Sequence, residues 1–197
     1  MTTRNRITTA MAELLRQQGY AATGIQQLAT AAGAPTGSIY HHFKGGKRDV
    51  AAAALAESGR VYAELVLLLL AEHDELPAAV LAAFEDAAET MESTGWANLC
   101  PVGTVLGEVA GVEPELRAVG AGIFGEWVDA GAAYFVERGL PEPSARDFTL
   151  VLVSTLEGAF ILARTQRSRE PLLAAGRLLS ATVASLQRSG AGERQGA

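Results

Sequence analysis

Residues 25–47 read IQQLATAAGAPTGSIYHHFKGGK, and the spacing of their apolar side chains decides the fold. Ile25, Leu28, Ala29 and Ala32 recur at three- and four-residue intervals, the period of one helix face. Gly33 ends that helix, Pro35 opens a shorter one, and Ile39 and Phe43 stand at i and i+4 on its inner side. Two short helices about a glycine turn form a helix-turn-helix, whose second helix must fit a major groove about 12 Å wide. The outward residues here suit such a groove, because Thr36, Gly37, Ser38 and His41 are small or hydrogen-bonding, and Gly37 lets backbone approach closely. Tyr40 and His41 fall at the groove wall, where both donate to phosphate oxygens. Lys47, with the amides that Gly45 and Gly46 leave open at the next helix start, adds an anion site.

Upstream, Ile7, Met11, Leu14 and Leu15 line a helix that runs to Gln18 and stops at Gly19, and Thr23 is placed to cap the helix that follows. Charge is uneven along the chain. Residues 1–50 hold six bases against two acids, a net +4, whereas residues 51–197 hold ten bases against twenty acids, a net −10. An acidic chain whose basic residues gather in one small segment points that segment at a polyanion.

Downstream the sequence is helical almost throughout. Helices are expected from Lys47 to about Glu72, over about 78–92, over 116–138, through 148–163, and from Pro171 to about Gln187. Phe148–Ser154 suits a buried strand by composition, but its apolar pattern runs on through Leu156, Phe160 and Ala163 without a turn, so it reads as helix. Gly103, Gly107 and Gly111 make residues 100–112 a less regular segment, and residues 189–197, polar and Gly-rich, an unstructured tail. The fold class is all-α: a three-helix head over residues 3–63, a helical body over 64–188, and the tail over 189–197. A single cysteine, Cys100, excludes an internal disulfide, and three histidines, two of them adjacent, exclude a His-based metal site or triad. The most apolar stretches, 65–71 and 148–156, fall short of a membrane span, which fits a soluble cytoplasmic protein.

The head resembles the TetR family of transcriptional regulators over about residues 4–55. The resemblance is carried by Ile25-x-x-Leu-Ala-x-x-Ala-Gly33, then Gly37-Ser-Ile-Tyr-His-His-Phe43, and Lys47. It implies that Thr36, Gly37, Ser38, Tyr40 and His41 contact double-stranded DNA, that Gln26 and Gln27 lie near the backbone or groove edge, and that Lys47 binds phosphate. Thr36 stands where relatives often have a base, and Pro35 replaces the usual Ser/Thr cap, so no base preference carries over. The rest looks like the LmrA/YxaF branch, through Cys100-Pro-Val-Gly103, Leu156-Glu-Gly-Ala159 and Ala163-Arg-x-Gln-Arg-Ser-x-x-Pro-Leu172.

That resemblance implies a homodimeric repressor released from a palindromic operator by an apolar or aromatic small molecule, with no cofactor, metal or enzymatic activity. By spacing alone Trp96, Phe124, Trp127, Tyr134 and Phe160 are core residues. The resemblance favours a ligand pocket of Trp96, Cys100, Phe124, Trp127 and Phe160, with Glu157 paired to Arg164 or anchoring the ligand. Leu152, Leu156, Leu178 and Leu179 would form the dimer face. The alternative is a small-molecule-binding module without specific DNA readout. An enzyme using Cys100 or Glu157 lacks any base or oxyanion donors nearby in sequence.

Overall fold

The computed structural model describes residues 1–97 and 99–195, the last five by backbone alone. Among the described residues every regular element is a helix: α1 Thr3–Gln18, α2 Ile25–Ala31, α3 Thr36–His42, α4 Lys47–Ala71, α5 Leu76–Ser93, α6 Pro101–Val109, α7 Pro114–Glu137, α8 Glu142–Gln166 and α9 Glu170–Gln195. The chain divides into two compact units, Met1–Tyr62 with Leu99–Phe124, and Ala63–Asn98 with Gly125–Ala197.

In the first unit α1 packs on α2, α3 and α6. Thr2 caps α1 by accepting from the Asn5 amide at 3.2 Å, and Ile7, Met11, Leu14 and Leu15 turn inward as their spacing dictates. Leu28, Ile39, Phe43, Val50 and Leu55 complete this core, each large side chain contributing roughly 1.5–3 kcal/mol on burial. Thr23 does not cap α2. Gly24 precedes the helix, and the buried Thr23 hydroxyl donates back to the Gly19 carbonyl at 2.7 Å, bracing the α1–α2 turn instead.

Residues 100–112, expected to be irregular, form α6. Pro101 opens it, Cys100 Sγ accepts from the Gly103 amide, and Val102, Val105, Leu106 and Val109 bury one face at helical spacing. That burial outweighs the roughly 1 kcal/mol that each interior glycine costs a helix. Gly120 of α7 lies where an added Cβ would collide with Leu106, so this segment packs against a bare stretch of backbone.

In the second unit α9 packs on α5 and α8. Gly176 brings α9 so close to α5 that an added Cβ would lie 2.7 Å from Phe84 Cβ. Residues 148–154 are helical within α8, with Phe148, Leu152, Leu156 and Phe160 buried and Phe148 edge-on to Phe135 at 4.9 Å between ring centroids. Helix α9 continues through Ser189–Gln195, where composition gave an unstructured tail; Gly196 and Ala197 lie outside the described residues.

Helix α8 is long and apolar enough to cross a membrane, with a mean hydropathy of 1.4 over eighteen residues. Such a test is passed equally by core helices, and α8 carries Arg146, Asp147, Glu157 and Arg164 along its length.

Candidate nucleic-acid interface

Helix α3 is held from beneath. Ile39 is fully buried and Phe43, which caps the helix at its C-terminus, is nearly so, with the Arg4 guanidinium 4.8 Å from the Phe43 ring centroid. Anchoring those two side chains turns the opposite face of α3 outward: Gly37 and His41 are exposed, Thr36 and Ser38 are half-buried, and Tyr40 is 52% exposed. The Tyr40 ring rests on Gly46, whose φ of +63° belongs to the left-handed region that glycine adopts without penalty. The structure therefore gathers five of the expected residues on one face. His42 is exposed as well, edge-on to His41 at 5.0 Å between ring centroids.

The two glutamines separate. Gln26 is exposed and, with Ala29, Thr30, Gly33, Ala34, Pro35 and Thr36, lines an open depression of about 480 Å³ between α2 and α3. Gln27 exchanges amide hydrogen bonds with Gln18, at 2.8 and 3.1 Å, and so fastens α2 to α1.

The expected anion site at the start of α4 is partly filled by the chain itself. The Gly45 amide donates to Asp49 Oδ2 at 2.7 Å, so an acid in the first helical turn takes one of the donors left for phosphate. Lys47 Nζ lies 4.1 Å from the Tyr20 ring centroid, a cation–π contact on a half-buried side chain. Burial holds the Lys47 ammonium below its ordinary range, opposed by the charges of Glu108 and Glu113. Burial and the Glu113 charge push the Tyr20 phenol up.

One contributor escaped the sequence reading. Glu108 of α6 accepts from the Tyr20 and Ala21 amides at 2.8 and 2.6 Å. No local pattern pairs residue 108 with residue 20; its one trace is that it is the lone acid in the apolar run 99–112.

Of the pocket set, Cys100 and Phe124 belong to the first unit and Trp96, Trp127, Glu157 and Phe160 to the second. Cys100, Trp127 and Phe160 are buried, and Glu157 is half-buried on α8. Trp96, after Gly95, holds a left-handed φ of +66° in the turn that closes α5, its amide donating to Met91 O at 2.7 Å.

The four residues expected at a dimer face separate. Leu152, Leu156 and Leu179 are buried inside the protomer. Leu178 alone of the four is exposed, at 71%. The apolar residues that α8 presents outward are Leu150, Val151, Ile161 and Leu162.

A short helix with small and hydrogen-bonding residues outward, anchored on a three-helix head, defines a helix-turn-helix DNA-binding protein. Residues 7–54 match the family described as bacterial regulatory proteins, tetR family, and residues 77–178 match the C-terminal domain described as transcriptional regulator LmrA/YxaF-like. The chain is 30% identical to the HTH-type transcriptional regulator YxaF of Bacillus subtilis, over 86% of this chain and 89% of that one. It is 31% identical to an HTH-type transcriptional regulator of Mycobacterium tuberculosis, over 86% and 88%. The crystal structure of a TetR regulatory protein from Rhodobacter sphaeroides superposes with a TM-score of 0.77 at 25% identity, covering 91% of this chain and 98% of that one. The chain belongs to the TetR family of transcriptional regulators, with an LmrA/YxaF-like C-terminal domain. It is a regulator and not an enzyme.

Proposed function

We propose that this regulator is a homodimeric repressor that leaves a palindromic operator when an apolar or aromatic small molecule binds its C-terminal domain. The observation that carries the reading is the exposed face of α3, with Thr36, Gly37, Ser38, Tyr40 and His41 outward over a buried Ile39 and Phe43. In this reading Thr36 and Ser38 meet base edges, Tyr40 and His41 hold phosphates, and Gln26 touches the groove edge. Residues 3–63 read DNA, and 64–188 hold the ligand and the partner. Lys47 reaches phosphate by leaving the Tyr20 ring. Working on DNA places the protein in the cytoplasm.

One such head is too small for tight specific binding, whereas a two-fold dimer reads half-sites about 34–36 Å apart. The outward stripe of α8 supports that dimer. Leu150, Val151, Ile161 and Leu162 share it with the small residues Ser154 and Gly158, which allow a second helix to approach closely. Leu178, exposed on α9, would join that face. Each apolar side chain covered there would contribute up to roughly 2 kcal/mol. Trp127 and Phe160 supply the apolar lining that favours an aromatic effector, and Glu157 a polar anchor. A ligand releases the operator by favouring the non-binding state by a few kcal/mol.

The test is fluorescence anisotropy on a selected operator duplex, titrated with a panel of apolar and aromatic small molecules. Dissociation by at least one compound, with the same compound raising Tm of the free protein, supports the reading. A tight operator complex that survives every compound which binds the protein overturns ligand release.

A further inference from the structure

We propose that Glu108 is a positioning residue for DNA reading: it locks the α1–α2 turn, and the head discriminates its operator poorly without that lock. The inference rests on the DNA-reading function proposed above.

The turn is built around an anion. The Tyr20 amide donates to Glu108 Oε2 at 2.8 Å and the Ala21 amide to Oε1 at 2.6 Å, so both carboxylate oxygens are engaged by consecutive backbone groups. Gly19 is needed there twice over. Its φ of +79° disfavours any side chain, and an added Cβ would stand 2.6 Å from Oε2. Other polar groups of the turn bond locally, with Thr23 N–H to Tyr20 O at 3.1 Å and Gln18 Nε2 to Ala22 O at 2.9 Å. The carboxylate from α6 thus supplies what the turn does not supply for itself.

The first helix of the helix-turn-helix, α2, hangs from this turn. Gln27 is tied to Gln18 at its edge, and Lys47 stacks on Tyr20, the residue whose amide Glu108 holds. Releasing the carboxylate loosens the turn that ends α1, and with it the fastening of α2 under the recognition helix. Charge alone argues the other way. Glu108 is an exposed acid on the unit that must approach a polyanion, so simple electrostatics has its removal tighten DNA binding. Positioning and electrostatics therefore predict opposite signs.

The experiment is Glu108→Gln in the full-length dimer, which keeps the side chain's size and removes its charge and one acceptor. Kd for the selected operator should rise roughly tenfold, the scale of a lost charged hydrogen bond, while Kd for random duplex at the same salt stays level or falls. Amide hydrogen exchange at Tyr20 and Ala21 should quicken in the free protein, with Tm lowered by a few degrees at most and protection elsewhere kept. Gly19→Ala attacks the same contact without altering charge and should also lower the ratio of operator to random affinity. Operator binding that is unchanged or tighter in Glu108→Gln overturns the proposal, as does unaltered exchange at Tyr20 and Ala21. A parallel loss of Tm, exchange protection throughout and all DNA binding would show a merely structural role and overturn it too. If the native chain selects no duplex, the DNA-reading function itself fails, and the exchange measurement still decides whether the lock exists.

Discussion

Replacing Gly46 with alanine disturbs the recognition helix without altering any side chain assigned to DNA. Gly46 sits at φ +63°, where an L side chain costs about 1–2 kcal/mol. The new Cβ would stand 3.0 Å from Tyr40 Cε1 and 3.7 Å from Cδ1, so the ring must yield by a few tenths of an ångström. The backbone is not free to swing away instead, because the Gly46 amide donates to Phe43 O at 2.9 Å and the Val50 amide to Gly46 O at 3.1 Å. Gly46→Ala should therefore lower Tm by about 2–8 °C in a chain of this size. Operator affinity should fall further than that, since a displaced Tyr40 hydroxyl loses a bond to a charged phosphate worth about 1.5–3 kcal/mol, roughly tenfold to a hundredfold in Kd. Calorimetry and operator anisotropy at one fixed salt concentration, with Tyr40→Ala alongside, read the two effects separately. A Gly46→Ala protein with native Tm and native operator affinity would refute the coupling of this turn to Tyr40.

The dimer face is tested by Ile161→Asp, at a residue 62% exposed in the protomer: sedimentation should show folded monomers where the native chain is dimeric. Leu152→Ala, inside the protomer, should instead cost about 2–5 kcal/mol of stability and leave the folded fraction dimeric. The reverse pattern would return the interface to the buried leucines. Tyr134 donates to Leu70 O at 2.8 Å, so Tyr134→Phe should cost about 1 kcal/mol at neutral pH. Burial raises the Tyr134 phenol above its ordinary 10.0, so its stabilising contribution is complete below pH 10 and shrinks as pH climbs towards the folded-state value. The stability gap between native and Tyr134→Phe proteins should narrow above pH 10 in urea titrations, and a gap that stays constant or widens would contradict that assignment.

Helical periodicity made the head legible. The inward faces of α1, α2 and α3 follow from Ile7, Met11, Leu28, Ile39 and Phe43, and fixing those sides leaves the outward side of α3 no other residues. Capping was harder to read, because Thr23 has the right chemistry for an N-cap but a better acceptor in the Gly19 carbonyl. Residues 100–112 show the limit of counting glycines: four buried side chains at helical spacing settle the segment as helix. In α8 apolar residues occur on two sides, and sequence does not say which side meets α9; Leu152 and Leu156 turned inward and Leu150 and Ile161 outward. Contacts distant along the chain were invisible. Glu108 on the Tyr20 amide and Lys47 on the Tyr20 ring each join segments that no periodic pattern relates.

The most direct measurement is a selection of bound duplexes from a random library by the native chain, with Tyr40→Ala run in parallel. A palindrome enriched by the native protein and lost with Tyr40→Ala, its half-sites about one helical turn apart, is the predicted result. No enrichment by a folded dimer, or the same sequence enriched by both proteins, would contradict DNA reading through the exposed face of α3.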